Sequence, residues 1–157
     1  MPTLATIELP PPSDWNEFED ICADLFALTW GDQNTVRYGR KGQRQKGVDI
    51  RGRIDGGSIA GVQCKGKRQW PPKKLTTPEI DKQVTAALQF TPPLSEFTIV
   101  TTADDDATLQ SHADAITERH REKGLFSVHV LGWAELSRRI KNQGLRGIEW
   151  VILQLYA

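Results

Sequence analysis

The stretch Gly47–Gly66, GVDIRGRIDGGSIAGVQCKG, limits what this chain can fold into more than any other. It reads as two strands joined at Asp55-Gly56-Gly57, a triplet suited to a three-residue hairpin loop. With that loop, Ile54 pairs with Ser58, and counting back along both strands sets Asp49 opposite Gln63. Directly opposed residues share a face, their Cβ atoms roughly 4.5–5.5 Å apart. Lys65, two positions beyond Gln63, returns to the same face because strand side chains alternate. Val48, Ile50, Val62 and Cys64 are expected to point the other way, into a core. The hairpin then presents a carboxylate, an amide oxygen and an ammonium together. A loop one residue shorter would set Asp49 against Cys64 and break up the group, so everything rests on the register.

Charge distribution adds a second constraint. Lys and Arg number 20, as do Asp and Glu, so the formal net charge is zero. The balance is local, however. Between Arg37 and Lys74 lie twelve Lys or Arg against Asp49 and Asp55 alone, an excess of ten positive charges. Such a run can be a merely solvated face. Its coincidence with the hairpin points instead to a polyanion partner. At 157 residues one domain with one proper core is expected. No apolar run is long enough to span a bilayer and no signal peptide opens the sequence, so a cytoplasmic protein is expected. Cys22 and Cys64 sit inside apolar patterns and read as buried thiols rather than a disulfide.

Along the chain, residues 1–13 read as an extended arm. Ser13-Asp14 caps a helix to about Thr29, with Glu17 as capping-box partner. Trp15, Phe18, Ile21, Cys22, Leu25, Phe26 and Leu28 form its apolar arc. Glu19 falls at the edge of that arc, where an acid either snorkels to water or is aimed at a site. A short strand, Thr35–Tyr38, precedes the glycine-punctuated loop GRKGQRQKG. This loop reads either as flexible and solvated or as one whose backbone amides and Arg40, Lys41, Arg44 and Lys46 reach phosphates, although it lacks the spacing of a P-loop. A second basic loop, KGKRQWPPKK, adds Lys67 and Arg68 as candidate nucleic-acid contacts; its Trp70 can stack on a base or on an arginine, but is expected to pack against the loop.

Thr77 as N-cap and Pro78 at the first position open a second helix, striped by Ile80, Val84, Ala87 and Leu88 and ended by Pro92-Pro93. Phe97–Thr102 reads as a buried strand. Asp104-Asp105-Asp106 reads as the acidic start of a helix, where the dipole favours negative charge, rather than as a metal cluster. A strand through Phe126, Val128 and Val130 and a helix through Trp133, Leu136 and Ile140 complete residues 14–143. His112, His120 and His129 have no ligand spacing. Residues 144–157 are apolar and are expected to lead to further domains. The order is α-β-β-β-α-β-α-β-α, a mixed sheet flanked by helices.

Asp49, Gln63 and Lys65 leave two readings open. One is an ion-paired hairpin, a common arrangement that contributes little. The other is a divalent-cation site, since Mg²⁺ takes hard oxygen ligands and commonly uses one or two carboxylates plus substrate phosphate. In that site Asp49 supplies charge, the Gln63 amide oxygen and a backbone carbonyl near Cys64 fill further positions, and Glu19 enters through a water. Lys65 then orients a water or stabilises negative charge growing on phosphorus.

Phe18-Glu19 on the first helix, the Gly39…Gly42…Gly47 loop, Gly47-Val48-Asp49 and Val62-Gln63-Cys64-Lys65 together resemble the Mrr-like branch of the PD-(D/E)xK nuclease superfamily. The resemblance covers roughly Trp15 to Leu88. It implies an α/β restriction endonuclease-like fold that cuts DNA with Mg²⁺ or Mn²⁺. It implies Asp49 and Gln63 as metal ligands, Lys65 as water-activating base or charge stabiliser, and Glu19 as a supporting acid. It also implies a homo-oligomer for double-strand cleavage, and an effector domain linked to the rest of a restriction or anti-phage protein. Val48 stands where the superfamily has proline, and Gln63 where many members have an acid, which removes one negative charge from the site. Three alternatives compete: a non-catalytic DNA-binding module with a degenerate nuclease fold, a structured-RNA nuclease or repair-type resolvase, and an assembly domain.

Overall fold

Asp14 opens the first helix through a local bond: its carboxylate accepts from the Asn16 N–H at 2.8 Å. Helix α1 (Trp15–Trp30) ends at Gly31 in the left-handed region. The computed structural model describes residues 8–38 and 47–143, and the remaining elements follow in the expected order. They are β1 (Val36–Arg37), β2 (Ile50–Ile54), β3 (Ser58–Lys65), α2 (Thr77–Ala87), β4 (Leu94–Thr101), α3 (Ala107–Lys123), β5 (Ser127–Leu131) and α4 (Trp133–Asn142).

The strands form one mixed sheet in the order β1-β2-β3-β4-β5. The first three strands run antiparallel, and β4 and β5 add in parallel through helical crossovers. Both faces are covered, so the central strands are apolar on both sides. One core gathers Val48, just ahead of β2, and Ile59, Phe97, Ile99 and Val128 of the sheet with Ile80 and Val84 of α2 and Leu109, Ala113 and Ile116 of α3. The other gathers Ile50, Val62 and Val100 with Phe18, Ile21, Cys22, Leu25 and Phe26 of α1 and Trp133, Leu136 and Ile140 of α4.

Helix α4 has no side-chain cap of its own at Gly132. Asp105 supplies one from the β4–α3 loop, accepting from Gly132 N–H (2.8 Å) and Glu135 N–H (3.0 Å). Asp106 caps α3 through the Thr108 N–H at 2.8 Å. Two of the three adjacent acids therefore do structural work at helix starts.

Several expectations need correction. Trp15 and Leu28 are not in the α1 core; they are 44% and 42% exposed. The ring of Trp15 lies over Gly66, where a Cβ would collide with it. The cap of α2 is Thr76 rather than Thr77, so Pro78 is the second helical residue, and Leu88 is 45% exposed. Strand β4 begins at Leu94, ahead of the expected Phe97. Val48 does not share a core with Ile50 and Val62. It packs on the α2 side, because the chain leaves the regular β2 geometry immediately before Ile50. Trp70 is 88% exposed instead of packed against its loop. Among the described residues no helix is long and apolar enough to cross a membrane.

Candidate active site

The hairpin register is as read: Ile54 faces Ser58, and the pairing runs without a slip to Ile50↔Val62. At Asp49 the regular ladder gives way. Its N–H donates to the Val62 carbonyl (2.8 Å) and its own carbonyl accepts from the Tyr38 N–H (2.6 Å). Its carboxylate Oδ2 accepts from the Cys64 N–H at 2.9 Å. Asp49 thus spans Val62 to Cys64, with Gln63 between them, and is held by main-chain bonds on both sides. Gly47 makes this entry feasible. It has φ 73°, and a Cβ there would stand 3.0 Å from the Ala86 Cβ of α2.

Asp49 is 5% exposed. Burial pushes its carboxyl up to about 6; the Cys64 N–H opposes this, the nearby Glu19 carboxylate adds to it, and Lys65 and Arg37 pull it back. Gln63 is 8% exposed, and its Oε1 is buried with no hydrogen-bond partner. An unsatisfied buried oxygen costs roughly 1–3 kcal/mol, so in a folded protein it calls for an explanation. Lys65 ends β3, half-buried, at the Thr101 rung of β4.

Glu19 reaches this end of the sheet from α1, but it is engaged. It pairs with Arg37 of β1, whose guanidinium also bonds Asp20 at 3.0 Å. Arg37 did not stand out from the basic run in sequence. Its importance comes from β1 lying beside β2 and under α1, a tertiary fact. Cys64 sits on the opposite face from Gln63, against free Cys22. Burial pushes the Cys64 thiol well up, and the Cys22 thiol beside it adds to the effect.

The donor set fits a hard cation. It consists of one buried carboxylate and one amide oxygen with no other partner, with a second carboxylate close enough to influence the first. Among the described residues no three His, Cys, Asp or Glu side chains converge as a cation cluster.

The candidate nucleic-acid contacts separate. Arg40, Lys41, Arg44 and Lys46 lie outside the described residues. Arg68 is exposed. Lys67 is turned inward: its Nζ pairs with Glu79 at 2.6 Å and its N–H donates to Thr102 Oγ1 at 2.7 Å. Against the opposing effect of burial, Lys67 keeps the Glu79 carboxyl below the usual glutamate range. Lys67 is therefore a structural cation rather than a free phosphate contact.

No protein-family model and no curated protein matches this chain. Among solved structures the chain is similar to the DNA modification-dependent restriction endonuclease AspBHI, with a TM-score of 0.54 and 17% identity. The match covers 88% of this chain and 34% of that one, so the chain spans about a third of the length of AspBHI. The fold is α/β and restriction endonuclease-like: a mixed sheet flanked by helices.

Proposed function

We propose that this chain is a metal-dependent endonuclease of the Mrr-like branch of the PD-(D/E)xK superfamily, hydrolysing DNA phosphodiester bonds in the cytoplasm. One observation carries the reading: the Gln63 Oε1, buried and without a partner, on the residue next to Cys64, whose N–H holds the buried Asp49 carboxylate. A buried oxygen without a partner, one residue from the N–H that holds a buried carboxylate, is a donor open to a hard cation. The fold shared with AspBHI, which is a DNA-acting restriction endonuclease, supports the same substrate class.

Asp49, Gln63 and the Cys64 backbone carbonyl would hold Mg²⁺ or Mn²⁺, with Glu19 contributing through a water. When bound, the ion supplies Lewis-acid polarisation of the phosphoryl oxygen and a lowered pKa for a coordinated water. The rest falls to the chain's own residues. Lys65 offers its ammonium to the negative charge that grows as water adds to phosphorus and the bond to the sugar oxygen breaks. Arg37 holds Glu19 at the edge of the site. Arg68 meets the phosphate backbone, as would Arg40, Lys41, Arg44 and Lys46. Two copies would be needed to cut both strands. The larger protein of which such a domain is the effector would direct cleavage in restriction or anti-phage defence.

The test is nicking of supercoiled plasmid in Mg²⁺ or Mn²⁺ against EDTA. Wild type runs beside Asp49→Ala and Lys65→Ala, with DNA binding measured in parallel. Metal-dependent nicking lost in both variants, with binding kept, is the expected result. Binding without nicking in wild type would replace the proposal with a non-catalytic DNA-binding module. The Glu19–Arg37 pair favours that second reading, because it occupies the supporting acid.

A further inference from the structure

The segment after Lys65 leaves one large aromatic group uncovered. Trp70 is 88% exposed, against 45% for Leu88, the next most exposed large hydrophobic among the described residues. The indole is not at a loose end of chain. Lys73 N–H donates to the Arg68 carbonyl at 3.1 Å and closes the loop. Its base is pinned three ways. Lys67 exchanges main-chain bonds with the Thr102 hydroxyl (2.7 and 2.9 Å). The Gln69 amide donates to the Lys67 and Thr102 carbonyls (3.2 and 3.0 Å). The Lys67 ammonium is tied to Glu79 at 2.6 Å. These bonds present the ring to water instead of folding it under.

Arg68, Lys73 and Lys74, within four residues of Trp70 on the same loop, are all exposed. Asp104, Asp105 and Asp106 line the other wall of a cleft of about 250 Å³ beside the loop, and two of the three are taken up as helix caps. A protein partner would call for a contiguous apolar patch. Here there is a single aromatic plane set among cations, the combination that single-stranded nucleic acid uses: charge for the backbone, a ring face for the base.

We infer that Trp70 is a stacking platform for an unpaired nucleobase, so that the DNA this chain acts on carries an unpaired stretch where it meets the loop 66–74. The inference rests on the nucleic-acid reading above and names its substrate class. In an intact duplex each base is already stacked and paired, so its face is not open to an indole. An unpaired base offers that face, and the three cations flank its phosphates.

The test is binding of the full chain in EDTA to fluorescently labelled single-stranded, bubble-containing and fully paired DNA of the same length. Wild type is compared with Trp70→Ala and Trp70→Phe. Wild type should prefer the unpaired substrates, and Trp70→Ala should weaken binding to them about 5- to 150-fold, the range of one lost base–aromatic stack. Trp70→Phe should recover most of that loss, and paired DNA should change little. Most of the quenching of indole emission by single-stranded DNA should be lost in Trp70→Ala, and Trp15→Phe should keep it. Equal loss on paired and unpaired DNA, or no loss at all, would overturn the inference, as would failure to bind any of the three. Because no metal is present, the outcome separates from the nuclease reading. Trp70-dependent binding in a chain that never nicks plasmid keeps the platform and drops the enzyme, and nicking with Trp70-independent binding does the reverse.

Discussion

Gln63 is a polar side chain in a position where a hydrocarbon would pack at lower cost. Its buried Oε1 has no partner, so the metal-free fold bears a desolvation penalty without a compensating bond. Gln63→Leu keeps the volume and removes the penalty. Chemical denaturation in EDTA should find the variant more stable than wild type by roughly 1 kcal/mol. Mg²⁺ should raise the melting temperature of wild type, and the variant should lose that rise. A variant destabilised in EDTA would mean that Gln63 is satisfied in solution. Asp49 makes a parallel case with a pH signature. Its folded carboxyl lies near 6 against an ordinary value of 3.8, so the native state keeps a proton that the unfolded chain releases. Stability from this group is therefore full below about pH 4 and is lost as pH rises through about 6. Asp49→Asn should abolish that decline. In EDTA it should exceed wild type at pH 8 by roughly 2–3 kcal/mol, and by much less at pH 4. Equal differences at the two pH values would assign Asp49 an ordinary titration.

At the scale of elements, the segment from β3 to α2 divides its cations between two jobs. Lys67 turns inward to Glu79 and Thr102 and fastens the loop to α2 and the end of β4. Arg68, its neighbour, faces water. Lys67→Ala would leave the Glu79 carboxylate without its cation, so it should lower the melting temperature by several degrees, roughly 1–2 kcal/mol for a partly exposed pair. Arg68→Ala should leave the melting temperature alone, weaken DNA binding on all sequences alike, and reduce the salt slope by about one. Unfolding curves and binding titrations over a salt series measure both. An unchanged salt slope in Arg68→Ala would remove it from the phosphate contacts. The hairpin of β2 and β3 divides its faces in the same way. Ile50 and Val62 are sealed against α1 and α4, and the opposite face carries Gln63 and Lys65 out to the end of the sheet.

For the whole molecule, zero net charge conceals a separation. The excess of ten positive charges between Arg37 and Lys74 is matched by a negative excess elsewhere, so attraction to a polyanion should be local and oriented. DNA binding should weaken at least tenfold between about 50 and 200 mM salt, although the isoelectric point near 6.8 suggests no such affinity. Salt-independent binding would mean that the basic segment is not the contact surface.

Much of this arrangement is legible in the chain itself. The hairpin register follows from Asp55-Gly56-Gly57, because a turn and its flanking strands are neighbours in sequence and one loop length sets every pair beyond it. The order of elements follows in the same way, from caps and periodicity that act over a few residues. Choices between partners distant in sequence are made only as the elements pack together. Val48 packs on the α2 side because the ladder breaks at Asp49. Glu19 meets Arg37 because β1 lies against α1. Lys67 is buried because Glu79 of α2 and Thr102 wait for it, and Trp70 is left in water because the bonds that hold its loop do not cover it. Local chemistry sets turns, caps and alternation. Which face a side chain finally turns to depends on the element packed opposite, and that is decided only when the chain closes on itself.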